Sequence, residues 1–185
     1  MSTTIIGIDN GFDGGIAHIY ADGRAIATVM PTLNFTAAPR KGKKHDRTVR
    51  EYDEGAINEL LLGFDNTNSF AFIEHAQAQS RYDPQLKRHV PQGSVTNFNT
   101  GFGFGLLRGM LAARMIPYQI VRPQAWQKVM FDGMTNTADT KTLSAIVAGR
   151  LFPDLDLRKS ERCRTPHDGK TDALLIAEYG RRLRS

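Results

Sequence analysis

Thr4-Ile5-Ile6-Gly7-Ile8-Asp9-Asn10-Gly11-Phe12-Asp13-Gly14-Gly15-Ile16-Ala17 is the stretch on which the fold turns, because it sets one carboxylate at the end of an apolar strand. Ile5, Ile6 and Ile8 are β-branched and suit a pleated strand, while Asn10-Gly11 and Asp13-Gly14-Gly15 are turn signals. Strand, tight turn and second strand is the local expectation, with Asp9 where the first strand runs out. An isolated Asp before a turn is an ordinary turn former. A chemical role for it requires other groups brought to the same place.

Working outward, residues 24–30 alternate as a third strand, with Asp22-Gly23 as the hairpin turn. The basic segment 36–50 reads as a flexible loop, and residues 52–64 carry apolar side chains at helical spacing. Residues 69–74, Ser-Phe-Ala-Phe-Ile-Glu, form a short apolar run that ends on a second carboxylate, Glu74. Residues 75–93 are polar, basic and punctuated by proline and glycine, which reads as a long exposed loop.

Ser94 is a candidate cap for a helix running to about Met115, within which Gly101, Gly105 and Gly109 recur beside Phe98, Phe102, Leu106 and Met110. A glycine costs a helix about 1 kcal/mol relative to alanine. The stripe therefore implies close approach of another backbone, either the sheet of the same chain or a second subunit. Residues 118–121 read as a strand, and Pro123 opens a helix to Phe131 that holds the lone Trp126, expected in the core. Thr140-Lys141 opens a helix through Leu151, residues 154–167 form a charged loop, and residues 168–184 close the chain as a helix. Three leading strands followed by strands alternating with helices indicate an α/β fold with a mixed sheet in one domain, 1–185.

No stretch approaches the roughly 18 apolar residues of a membrane span, and no basic-then-apolar leader opens the sequence, so a cytoplasmic location without membrane attachment is expected. The single Cys163 leaves carboxylates and histidines as metal ligands. The net charge is +5 and is concentrated in three segments. Arg40, Lys41, Lys43, Lys44, Arg47 and Arg50 fall in the first, Arg81, Lys87 and Arg88 in the second, Arg158, Lys159, Arg162 and Arg164 in the third. One such segment is a solvated loop; three favour a polyanion such as nucleic acid.

Asp168 and Asp172 lie four apart near the start of the last helix, so both project from one edge. Acids also favour a helix N-terminus for its dipole, but that does not account for Asp9 and Glu74 at two strand ends. Four oxygen donors suit hard cations such as Mg²⁺ or Mn²⁺, and a pair of such ions about 3.5–4 Å apart is a known arrangement for phosphodiester hydrolysis.

Gly7-Ile8-Asp9-Asn10-Gly11, Phe72-Ile73-Glu74, the glycine-striped helix, Arg122-Pro123-Gln124-Ala125-Trp126-Gln127-Lys128 and His167-Asp168-Gly169-Lys170-Thr171-Asp172-Ala173-Leu174 occur in an order that resembles the RuvC family of Holliday junction resolvases, most closely its phage-type members. The resemblance implies a ribonuclease H-like fold, with three antiparallel strands then two parallel ones flanked by helices. It also implies a homodimer, here through residues 94–115, two Mg²⁺ or Mn²⁺ ions per site, and paired nicks at a four-way DNA junction in a bacterial cytoplasm, host or native. Asp9, Glu74, Asp168 and Asp172 would be the metal-binding acids, and Lys141 matches a basic residue that assists catalysis.

The last two acids are four apart, where many members have three, with glycine at 169; the fourth ligand is accordingly left between Asp168 and His167. An aromatic wedge in relatives has its counterpart in Tyr82, which is equally a surface tyrosine. Two other classes compete: a binder of branched DNA that does not cut, and a sugar-kinase or actin-like ATPase, which begins with a similar strand and Asp-x-Gly. The ATPases need two such domains around the nucleotide, and 185 residues supply one.

Overall fold

In chain order the elements are β1 (Thr4–Asp9), β2 (Gly15–Ile19), β3 (Ala25–Val29), β4 (Thr32–Ala37), β5 (Arg47–Tyr52), α1 (Glu54–Leu60), β6 (Ser69–Glu74), β7 (Ser80–Asp83), β8 (Arg88–Pro91), α2 (Ser94–Ala113), β9 (Tyr118–Val121), α3 (Pro123–Met130), α4 (Thr140–Leu151) and α5 (Asp168–Leu183). The structure, a computed structural model, describes residues 3–39, 41–42, 44–77, 80–91, 93–134 and 139–184, with the backbone alone at 80–83, 89 and 91. Among the described residues no helix is long and apolar enough to cross a membrane.

Five strands form the main sheet in the order β3-β2-β1-β6-β9. The first three are antiparallel, and β6 and β9 add in parallel to β1 and to each other. This is the mixed α/β arrangement expected from three hairpin-linked strands followed by crossover connections. Because side chains alternate along a strand, β1 feeds two cores. Ile5 packs with Ala17, Phe72, Trp126 and the α5 residues Leu174 and Ala177 on one face. Ile6 and Ile8 pack with Ala71, Ile73, Ile57 and the α2 residues Leu107 and Leu111 on the other.

Gly7 faces α5, and a methyl group there would stand 2.1 Å from the Ala173 carbonyl oxygen and 2.4 Å from the Ala177 nitrogen. The helix therefore lies directly on the β1 backbone. Gly169 repeats this at the helix N-terminus, where an added Cβ would meet the Asp13 oxygen at 2.2 Å and the Gly14 carbonyl carbon at 2.3 Å. The glycine that sets the unusual spacing of Asp168 and Asp172 is thus required by backbone contact with the turn after Asp9.

Two segments expected as loops are hairpins. Within residues 36–50, β4 and β5 pair with each other from Thr32↔Tyr52 to Ala37↔Arg47, leaving 38–46 as their connection. Leu33, Phe35 and Val49 supply the two-residue alternation that the cationic composition obscures. Within residues 75–93, β7 pairs with β8 from Ser80↔Pro91 to Asp83↔Arg88. The Pro84-containing punctuation is the turn between them, with Lys87 at a positive φ of 48°. Ser94 is the first residue of α2; the N-cap is Gly93, with no side-chain cap bond.

The glycine stripe of α2 has a different outcome from Gly7 and Gly169. Gly101, Gly105 and Gly109 face open space, so the sheet of the same chain is not the partner, while Gly103 is the one pressed against the ring of Tyr52.

Candidate active site

Strand alternation carries Asp9 and Glu74 to the α5 face, since Asp9 follows Ile5 and Gly7, and Glu74 follows Phe70 and Phe72. The parallel register of β1 and β6, running from Thr4↔Ser69 to Ile8↔Ile73, continues to bring the two acids level. The ends are tied: the Asn10 side-chain amide donates to the Glu74 carbonyl at 2.6 Å, and the Tyr52 hydroxyl donates to the Asn10 carbonyl at 2.8 Å. The Arg50 guanidinium donates to the Asp13 carboxylate at 2.6 Å and also to the Phe12 carbonyl. The turn that begins after Asp9 is therefore held from the β4–β5 hairpin.

Asp172 comes to the same place from α5, and its charge acts on both Asp9 and Glu74. Burial and then the charges of Glu74 and Asp172 push Asp9 up to about 8. Burial is also the first cause at Asp172, pushed up to about 6, with the Asp168 charge raising it and Ser144 and Lys141 opposing. Glu74 is raised by burial and by Asp172, against the Trp126 hydrogen bond. Ser144 faces Asp172 without a bonded geometry, and both Asp172 Oδ1 and Ser144 Oγ are buried without a hydrogen-bond partner among the described residues.

Asp168 occupies a different position. Its carboxylate is half exposed and pairs with Lys141 Nζ at 2.6 Å, so the first turn of α4 bridges to the first turn of α5. Such a pair at the surface contributes little to stability, about 0–1 kcal/mol, but it places a cation beside the acids. His167 caps α5, its Nδ1 accepting from the Lys170 backbone at 3.4 Å. Asp9, Glu74 and Asp172 are thus brought together, with Asp168 and Lys141 at the rim. Among the described residues no three His, Cys, Asp or Glu side chains converge closely enough to enclose a metal ion. The donor chemistry nevertheless suits a hard cation: the groups are carboxylate oxygens, the charges of Glu74 and Asp172 push Asp9 up, and Asp172 Oδ1 is buried without a hydrogen-bond partner among the described residues.

Of the cationic residues, Lys41, Lys44, Arg47, Lys87, Arg88, Lys159, Arg162 and Arg164 are exposed. Arg40 and Lys43 lie outside the described residues, as do the side chains of Arg81 and Tyr82. Arg158 is taken up by a two-pronged pair with Asp156, at 2.9 Å for each contact, and Arg50 by the Asp13 turn.

Sequence reasoning overlooked the supporting side chains. Trp126 is fully buried, as expected, yet its indole Nε1 donates to Glu74 Oε2 at 2.7 Å. A buried indole needs an acceptor, and that requirement was the available signal. Asn10, Tyr52 and Ser144 carry no such signal, and Arg50, expected among the DNA-binding cations, instead holds the Asp13 turn, because their partners lie far along the chain.

No protein-family model matches the chain, and no curated protein matches it in sequence. Among solved structures it is similar to Thermus thermophilus RuvC in complex with Holliday junction substrate, with a TM-score of 0.52, 14% identity, and coverage of 98% of this chain and 96% of that one. A second Thermus thermophilus RuvC structure matches with a TM-score of 0.50 at 14% identity, covering 98% and 97%. The likeness spans nearly the full length of both chains, and what it shows is the fold: a mixed five-stranded sheet flanked by helices, as in the ribonuclease H-like RuvC structures.

Proposed function

We propose that the protein is a metal-dependent endodeoxyribonuclease of the phage RuvC type that resolves four-way junctions and related branched DNA by paired nicks. The observation that carries this reading is the meeting of three carboxylates from β1, β6 and α5 at one edge of a RuvC-like fold, where Glu74 and Asp172 both push Asp9 up and Asp172 also raises Glu74. An apolar core gains nothing from such repulsion, whereas a cation site does. The solved relative bound to a Holliday junction supports branched DNA as the substrate class.

Asp9, Glu74 and Asp172, with Asp168 or His167 as the fourth ligand, would hold two Mg²⁺ or Mn²⁺ ions. Bound there, such ions supply the charge that activates a water and stabilises the departing 3′ oxygen. Trp126 fixes the Glu74 carboxylate through its indole N–H, and the Asn10 amide keeps the two strand ends aligned. Lys141, at 2.6 Å from Asp168, brings a positive charge to where a scissile phosphate would lie. Attack by water leaves 5′-phosphate and 3′-hydroxyl ends and no bond to the protein. The exposed cations on 41–47, 87–88 and 159–164 would hold the phosphates of the arms.

Paired nicking needs two active sites, and α2 is the surface suited to a second copy. Phe98 and Phe102 are 70% and 49% exposed beside the open glycines. The corresponding test is sedimentation equilibrium on the wild type and Phe98→Asp.

A synthetic four-way junction with Mg²⁺ tests the activity. The wild type is expected to release paired nicked products, and Asp9→Asn none while still binding the junction. Binding without cleavage by either protein would establish the non-cutting class instead, and ATP turnover without DNA would establish the ATPase class.

A further inference from the structure

The β4–β5 hairpin pairs with no strand of the main sheet, yet it is bonded to the turn that follows Asp9, and this raises the question of what its free surface meets. Its register gives it two unlike faces. Leu33, Phe35, Val49 and Glu51 share one; Thr32, Asn34, Thr36, Thr48, Arg50 and Tyr52 share the other, which turns inward at its base through Tyr52.

The inner face forms one wall of a groove of about 410 Å³, lined by Thr32, Asn34, Arg50, Lys159 and His167 over a floor that includes Phe12. Phe12 lies in the turn after Asp9, and His167, the N-cap of α5, feels the charges of both Asp13 and Asp168, so the groove lies beside that turn and the first turn of α5. Its polar lining is dominated by donors. The acids near it are already engaged: Asp13 accepts from Arg50 at 2.6 Å, and Asp53, at the groove, accepts from the Ala56 amide at 2.9 Å. Lys159 forms no ion pair among the described residues, and neither do the exposed Arg162 and Arg164 on the same segment.

We propose that this groove seats a single DNA strand alongside the scissile position, with the Asn34 amide and Lys159 ammonium on its sugar-phosphate backbone and Arg50 as a positioning residue. The proposal rests on the nuclease reading above. Donor-rich walls over an aromatic floor are the chemistry of a strand track. Through Arg50 and the Asp13 turn, a strand lying in the groove bears directly on the segment that holds Asp9.

The test uses full-length protein carrying Cys163→Ser, with Asn34→Cys or Leu33→Cys labelled with a photoreactive maleimide, and a four-way junction in chelator so that nothing is cut. Position 34 is expected to cross-link to DNA and position 33, on the outer face, is not. Lys159→Ala is expected to lower the slope of log affinity against log salt by roughly 0.7–0.9, one phosphate contact. Junction binding with cross-linking at 33 alone, at both positions equally or at neither, or with an unchanged slope for Lys159→Ala, overturns the groove and leaves the nuclease reading standing. Absence of junction binding by every protein, the unlabelled wild type included, overturns both.

Discussion

The two faces of the central sheet are built by different rules. On the α5 face, helix and strand meet backbone to backbone at Gly7, and helix and turn do so at Gly169. The charged side chains around that contact, Asp9, Glu74 and Asp172, are consequently placed with little slack. On the α2 face, Ile6, Ile8, Ile73, Leu107 and Leu111 pack as side chains, and Gly101, Gly105 and Gly109 of the helix point to open space while Gly103 meets only the side chain of Tyr52. A stripe of glycines in sequence therefore has two physical meanings, and contact geometry separates them.

The largest expected effect tests that contrast directly. Gly7→Ala forces a methyl into the α5 backbone and should cost more than about 4 kcal/mol, or prevent folding, because neither backbone can move aside independently. Urea unfolding measures it; a loss under 1 kcal/mol would mean that the helix rides free of the strand.

The second prediction uses the strained acids of the α5 face. Asp9 has a folded pKa of about 8 against 3.8 unfolded. The native state therefore binds the proton more tightly, and its contribution to stability is full below pH 4 and lost as pH rises through 8. In chelator, Asp9→Asn should be more stable than wild type by on the order of 4 kcal/mol near pH 8, and the difference should vanish toward pH 4. Thermal unfolding of both proteins across that range provides the check.

The α2 face has the opposite sign. His18 is buried, stacks on Phe64 with centroids 5.1 Å apart, and is pushed down to about 4 by burial. Its unfolded value is higher, so stability is full above pH 6.5 and lost as pH falls through 4. Replacing it in His18→Phe should remove roughly 3 kcal/mol of acid sensitivity between those limits. Equal pH slopes for wild type and variant would refute the assignment.

Smaller effects refine the comparison. Trp126→Phe deletes the donor to Glu74 at a cost of roughly 1–3 kcal/mol. It should raise the Glu74 pKa further, moving the acid limb of the cleavage profile to higher pH while junction affinity holds. Gly105→Ala, on the open stripe, should stabilise the isolated chain by roughly 0.5–1 kcal/mol; if α2 meets a second copy there, the same change weakens self-association.

Much of this was legible in the sequence because its signals are local. Residues 69–74 and 118–121 were read as the strands they are, since short β-branched and aromatic runs between turn formers have one ready interpretation. Asp9 and Glu74 stood out because each ends such a run. The β4–β5 and β7–β8 hairpins were hidden for the complementary reason: their strands are polar and half exposed, so composition suggested loop while pairing with a partner strand made structure.

By itself the sequence determined the order of strands and helices, the acids at their ends, and the cationic segments between them, because propensity and alternation act over a few residues. Tertiary structure alone decided which glycines carry contact, that Asp168 turns to Lys141 while Asp172 faces the other acids, and that Trp126, Asn10 and Tyr52 hold the site together. Those outcomes depend on groups distant in the chain meeting at fixed distances, and no local pattern encodes a distance between them.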